Sequence, residues 1–284
     1  MQILHAPAPA KVNLGLHVLR RRADGYHDIE TCFLRIGWAD QLTIYPSDRL
    51  TMETSDAQLP TDERNLCLRA ANLLKEVSGT TQGAHIFLEK RIPYGAGLGG
   101  GSSDAATTLR LLNEGWGLGY SQTELLQIGR KLGADVSFFL LDQPVAYATG
   151  IGDEFHPLPC AVGGILDYPL VVVMPPVEIA TAEAYRQIVP FEEREGVLPE
   201  IICQTDFARW KQTLVNDFEQ VVFQRFPVVQ ELKELLYARG AVYASMSGSG
   251  AAVFGIFTSF EEAEKAGLHL RQAFPRIWWS TRNG

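Results

Sequence analysis

The sequence predicts an α+β protein of two domains, and three observations carry that reading. Apolar and polar residues alternate with period two near the N-terminus, residues 65–77 switch to spacings of three and four, and strand and helix patterns resume after a Pro/Gly-rich stretch near 157–169. At 284 residues the chain is long for one core and sufficient for two. The Pro/Gly-rich stretch, with Pro157, Pro159, Gly163, Gly164 and Pro169, is the expected boundary, giving an N-terminal domain over 1–160 and a C-terminal one over 161–284.

The elements follow in order. Val12, Leu14 and Leu16 alternate with Lys11, Asn13 and Gly15, so a strand places Lys11 and Asn13 on one face. Ala23 to His27 carries a turn signal, and 30–38 and 41–46 read as two further strands. Leu66, Ala70, Leu73, Leu74 and Val77 make an amphipathic helix, followed by a strand over 84–90. A helix over about 103–113 opens at a Ser-Ser-Asp cluster suited to capping. In the second half a strand is expected at 170–174, helices at 182–189 and 206–225, and a helix opened by Pro227. Strands at 242–246 and 252–257 flank Ser247-Gly248-Ser249-Gly250, and Ser259 to Glu262 fits a capping box.

Composition excludes several classes. A formal net charge of -8 opposes nonspecific binding to nucleic acid or anionic membrane, yet leaves room for a phosphorylated small molecule held by local amides. No apolar run is long enough to span a bilayer and no secretory leader is present, so the cytoplasm is the expected compartment. Cys32, Cys67, Cys160 and Cys203 form no C-x-x-C pair, so neither a zinc site nor a dithiol motif is read, and all four are expected as reduced core residues.

The chemical signal is the run Pro93-Tyr94-Gly95-Ala96-Gly97-Leu98-Gly99-Gly100-Gly101-Ser102-Ser103. Five glycines in seven positions cost backbone entropy on ordering, which a structural turn does not need. They let backbone N–H groups converge on an anion, and the following helix adds its positive end. Gly95, Gly97 and Gly100 also satisfy G-x-G-x-x-G, but Arg91-Ile92-Pro93 separates the strand from the first glycine and Glu114 falls early for a ribose contact. A Walker A loop fails because Gly101 and Ser102 stand where it needs a lysine, so any cation for a triphosphate comes from elsewhere.

With P-A-K-V-N-L-G-L at 9–16, R-A-D-G-Y-H at 22–27, G-A-D-V at 133–136 and S-G-S-G-A at 247–251, this loop resembles the GHMP kinases. The lysine and asparagine followed by R-A-D-G-Y-H are most similar to the members that act on the cytidine diphosphate ester of methylerythritol. The resemblance implies an N-terminal α/β domain, a C-terminal ferredoxin-like domain and an active site in the cleft between them. It implies transfer of the γ-phosphoryl of ATP, with Mg²⁺, to the 2-hydroxyl of that ester in the non-mevalonate route to isopentenyl diphosphate.

On bare sequence Asp135 reads as an N-cap, Lys11 as solvated, Tyr26 as packing under a hairpin and His27 as surface. The resemblance makes Asp135 the base for the attacking hydroxyl and Lys11 the cation that keeps it ionised and meets developing charge. It places residues 93–103 on ATP, with Ser102 or Ser103 toward the metal. It puts Asn13, Tyr26, His27, Thr181 and Tyr185 on the substrate, with Tyr26 and Tyr185 stacking on cytosine and His27 on its edge. Ser247 to Gly250, otherwise a hairpin turn, would back the phosphate loop. Alternatives are a mevalonate- or homoserine-type kinase, a non-catalytic ATP- and metabolite-binding regulator and, more remotely, a dinucleotide oxidoreductase. The protein is expected to be a monomer or weak homodimer.

Overall fold

The N-terminal alternation builds one 18-residue strand, β1 (Leu4–Arg21), which turns at residues 22–26 into a 19-residue partner, β2 (His27–Tyr45). In this computed structural model, which describes residues 2–160 and 163–282, the two strands expected over 30–46 are therefore one. Period two continues through the supposed break, with Ile36, Trp38, Asp40, Leu42 and Ile44 all buried.

The chain then runs β3 (Leu50–Thr54), α1 (Leu66–Ser78), β4 (Ala84–Glu89), α2 (Gly100–Gly115), α3 (Gln122–Arg130), α4 (Ala134–Leu140), β5 (Val145–Thr149) and β6 (Glu154–His156). It continues through α5 (Gly163–Leu166), β7 (Leu170–Val173), α6 (Thr181–Gln187), α7 (Leu198–Gln204), α8 (Phe207–Thr213), α9 (Phe218–Arg225) and α10 (Pro227–Ala238). It closes with β8 (Tyr243–Met246), β9 (Val253–Ile256), α11 (Phe260–Leu270) and β10 (Ile277–Trp279).

Two compact units form, neither of them a single stretch of chain. The first holds residues 1–10, 38–94 and 99–144; the second holds 11–37, 95–98 and 145–284. In the first, β4 pairs antiparallel with the end of β2 (Leu42 opposite Leu88) and parallel with β3 (Met52 opposite Ile86). Helix α1 packs on α2, and α4 on both α2 and α3. Asn65 caps α1 by accepting from the Cys67 N–H at 3.0 Å, and Ser121 opens α3 with a reciprocal capping box to Glu124.

In the second unit β5 pairs with the start of β2 and with β6, while a separate antiparallel sheet has the order β10-β7-β9-β8. Strand β7 reads Leu-Val-Val-Val and is buried throughout, as a strand covered on both faces requires. With α10 on β8 and β9, and α11 on β7 and β10, this is the β-α-β-β-α-β arrangement of a ferredoxin-like fold. Its first crossover carries five helices, α6 to α10, rather than one.

Three further expectations are corrected. The helix expected over 206–225 is two helices, α8 and α9, because Asn216 leaves the helical path to hydrogen-bond elsewhere. Helix α2 starts at Gly100, with left-handed Gly99 as its N-cap, so the Ser-Ser-Asp cluster lies inside it and caps nothing. Cys160 and Cys203 are joined in a disulfide, with Cα atoms 5.6 Å apart; their separation of 43 residues concealed the proximity that the fold creates. Cys32 and Cys67 are free and buried as expected.

Candidate functional site

The alternation in β1 puts Lys11 and Asn13 on one face, and the structure buries both, at 4% and 1% exposure. Lys11 Nζ donates to Asn13 Oδ1 at 2.7 Å and to the Gly97 carbonyl at 3.0 Å, and its ammonium lies 5.3 Å from the Phe33 ring centroid. Asn13 in turn donates to Thr31 Oγ1 at 2.9 Å, and Thr31 donates to the Gly15 carbonyl at 2.6 Å. This chain of donors fixes the lysine against the first half of the glycine loop.

That half, Gly95 to Leu98, is stitched to the rest of its unit through backbone atoms. The Lys11 N–H donates to the Leu98 carbonyl and the Ala252 N–H to the Ala96 carbonyl, each at 3.0 Å. Ser247 Oγ donates to the Gly97 carbonyl at 2.9 Å. Gly97 is left-handed, at φ 76, and a Cβ there would stand 2.1 Å from the Ser247 carbonyl oxygen, so only glycine permits this approach. The Ser247 to Gly250 turn is itself held from below. Asn216, 2% exposed, donates to the carbonyls of Met246 and Gly248, both at 2.8 Å. The break between α8 and α9 thus places Asn216, which sequence reasoning missed for want of any local signal.

The second half of the loop, from Gly99, opens α2 in the first unit. Amides of the first turn have no partner within the helix, and the dipole favours an anion there. Pro93 and Ser102 are half-buried and Tyr94 is exposed. Ser103 is buried with its Oγ lacking a hydrogen-bond partner. Asp135 is not an N-cap: Gly133 holds that position, and Asp135 lies half-buried in the first turn of α4.

The residues expected on the substrate, Asn13, Tyr26, His27, Thr181 and Tyr185, all lie in the second unit. The ring of His27 stacks on Tyr185 with centroids 5.0 Å apart and planes at 24°, and Tyr185 meets Phe218 edge-on at 4.8 Å. Tyr26 beside them is exposed at 62%. Thr181 Oγ1 lies 2.9 Å from Ser249 Oγ, tying α6 to the same turn that Asn216 supports. Partial burial and the nearby Arg21 charge lower the His27 pKa, favouring the neutral ring, which offers one donor and one acceptor.

A cluster that sequence reasoning missed lies at the stem of the loop. Lys90, 5% exposed, donates to Asp40 Oδ2 at 2.5 Å and to Asp104 Oδ2 at 2.8 Å. Burial works against the Lys90 charge, but the two carboxyls outweigh it and raise its pKa. Burial, partly offset by Lys90 and reinforced by Asp40, pushes the Asp104 carboxyl up to about 8. Among the described residues, no group of three or more His, Cys, Asp or Glu is arranged to hold a metal, and no helix is long and apolar enough to cross a membrane.

The structure thus has a glycine loop that opens a helix, and a buried lysine bound to the loop backbone, with no Walker lysine, on an α+β scaffold. The family described as GHMP kinases N terminal domain matches residues 65–150, and that described as GHMP kinases C terminal matches residues 199–276. The chain belongs to the GHMP kinase family. It is 48% identical over 95% of its length, and 94% of the relative's, to a 4-diphosphocytidyl-2-C-methyl-D-erythritol kinase of Salinibacter ruber. To one of Chlorobium phaeobacteroides it is 45% identical, over 97% of this chain and 96% of the relative. A crystal structure of 4-(cytidine 5'-diphospho)-2C-methyl-D-erythritol kinase superposes with a TM-score of 0.83 at 37% identity, covering 97% of this chain and 98% of that one. A homoserine kinase from Cytophaga hutchinsonii, 22% identical with a TM-score of 0.75 and covering 99% and 95%, shares the fold.

Proposed function

We propose that the protein transfers the γ-phosphoryl of ATP to the 2-hydroxyl of 4-diphosphocytidyl-2-C-methyl-D-erythritol, a step toward isopentenyl diphosphate. The observation that carries the kinase reading is the Lys11–Asn13–Gly97–Ser247 cluster, which fixes the phosphate loop against a buried ammonium. The choice of acceptor is supported by the names of relatives more than 40% identical across nearly the whole chain.

Residues 93–103 bind ATP, and the glycines of that stretch leave its backbone amides open to phosphate oxygens. Mg²⁺ fits the hydroxyl of Ser103, with Ser102 beside it, and would supply charge neutralisation on the phosphates. Asp135 accepts, or holds, the proton of the attacking hydroxyl; a loose transition state asks only modest basicity of it. Lys11 supplies a fixed positive charge as phosphoryl oxygens change their bonding. Asn13 holds that ammonium and contacts the acceptor.

Cytosine recognition falls to Tyr26, whose exposed ring offers a stacking face, and to His27, whose neutral ring matches a base edge with one donor and one acceptor. Tyr185 and Thr181 complete that subsite. The reading divides the chain into domains at 160/161, between the two family matches, and puts the reaction in the cytoplasm on a monomer or weak homodimer.

The test is ADP release with ATP and Mg²⁺ over four acceptors: the cytidine diphosphate ester, free methylerythritol, mevalonate and homoserine. Turnover confined to the first is the expected result. Turnover of mevalonate or homoserine instead would discard the cytosine subsite, and tight ATP binding without turnover of any would point to a regulator.

A further inference from the structure

The glycine loop has two stems, and a single ammonium holds both. Before the loop, Asp40 Oδ1 accepts from the backbone N–H groups of Arg91 at 2.5 Å and Ile92 at 2.8 Å, while Asp40 Oδ2 accepts from Lys90. After the loop, Lys90 binds Asp104 on the first turns of α2, spanning 14 residues of chain. A Cβ on Gly100 would stand 3.1 Å from Lys90 Nζ, so the cation lies directly behind the backbone that opens the helix. All three side chains are buried, at 5% or less exposure.

We propose that Asp40, Lys90 and Asp104 are positioning residues for the nucleotide-phosphate loop: the shared ammonium closes the two stems onto each other before ATP arrives. The proposal rests on the kinase reading. Fixing the stems in advance removes ordering cost from nucleotide binding, so the cluster acts on ATP affinity and leaves the acceptor site alone.

The experiment measures affinity for a non-hydrolysable ATP analogue with Mg²⁺ at about pH 7.5, with both KM values and a thermal melt as controls. Asp104→Asn, which keeps the shape of the side chain but not the charge that Lys90 meets, should bind the analogue about threefold more weakly while the acceptor KM stays within about twofold. Lys90→Met should weaken the analogue about tenfold or more while the acceptor KM stays within about twofold. A folded Lys90→Met protein with wild-type affinity would overturn the proposal, as would equal losses for both substrates or an Asp104→Asn protein with wild-type affinity. Should Lys90→Met not fold, the Asp104→Asn affinity and KM split decide alone. A wild type that binds the analogue but phosphorylates no acceptor would overturn the kinase reading only, and one that binds no analogue would overturn both.

Discussion

Asp135 and Gly97 exemplify two ways in which one residue can matter. The proposed work of Asp135 is chemical, so Asp135→Ala should keep its affinity for ATP and lose about a thousandfold in kcat, roughly 4 kcal/mol of transition-state stabilisation. ADP release together with nucleotide titration checks this, and wild-type turnover in a folded variant would remove Asp135 from the mechanism. The importance of Gly97 is steric: Gly97→Ala would drive a methyl group onto the Ser247 carbonyl at a φ that alanine avoids. We expect a loss of more than about 2 kcal/mol in stability and a rise in the KM for ATP larger than that for the acceptor. The role proposed for Asp135 came from resemblance, and strand period put Lys11 and Asn13 on one face, although Lys11, which reads as solvated on bare sequence, is buried. Lys90, Asp40 and Asp104 were not legible: the Lys90–Asp40 contact joins positions 50 apart, and an aspartate at a buried strand position gives no sign of its partner.

At the level of elements, periodicity found the strongly patterned helices, and Pro227 opens α10 in the first turn as its missing N–H requires. Where tertiary bonds override local preference, periodicity failed. The residues between α8 and α9 read as helix, yet Asn216 makes two donor bonds to the Ser247 turn that a continuous helix would forgo. By contrast, Ser259 caps α11 as expected, accepting from the Glu262 N–H at 3.2 Å, and the Glu262 carboxylate also accepts from Thr258 Oγ1 at 2.6 Å. Helix α7 carries the disulfide to Cys160, and cytoplasmic reductants would keep that pair as thiols. Once the purified protein has been exposed to air, we expect thiol titration after denaturation to find two thiols without reductant and four after it. Reduction should cost up to about 4 kcal/mol of stability for a loop of this length. Four thiols in unreduced, freshly isolated protein would mean that the pair stays open in the cell.

For the whole molecule, one buried residue sets a limit on acid tolerance. His17 is 1% exposed, and neither ring nitrogen has a hydrogen-bond partner. Burial, aided by the Arg194 charge and only partly opposed by Asp217, pushes its pKa down to about 4, from 6.5 in the unfolded chain. A folded value below the unfolded one means that this contribution to stability is complete above pH 6.5 and is lost as the pH falls through 4. The loss amounts to roughly 3 kcal/mol. Urea unfolding at pH 7 and pH 4 should reveal it, and His17→Phe, if it folds, should show a shallower acid slope; an unchanged slope would place the acid sensitivity elsewhere. The coarse plan of two α+β halves was readable from sequence. The division of the compact units was not, because each draws on separated stretches of chain that only tertiary contacts bring together.

The contact between Asn13 and Ser247 spans 234 residues and has a consequence during synthesis. At typical bacterial elongation speeds, Ser247 leaves the ribosome roughly 10 to 50 seconds after Asn13. Throughout that interval Lys11 and Asn13 have no Ser247 turn to close over them, and a nascent chain halted after the glycine loop would carry the recognisable phosphate motif without the bonds that fix it. The assembled cluster therefore forms only once the chain has been made past Ser247, and a product that stops before it lacks those bonds.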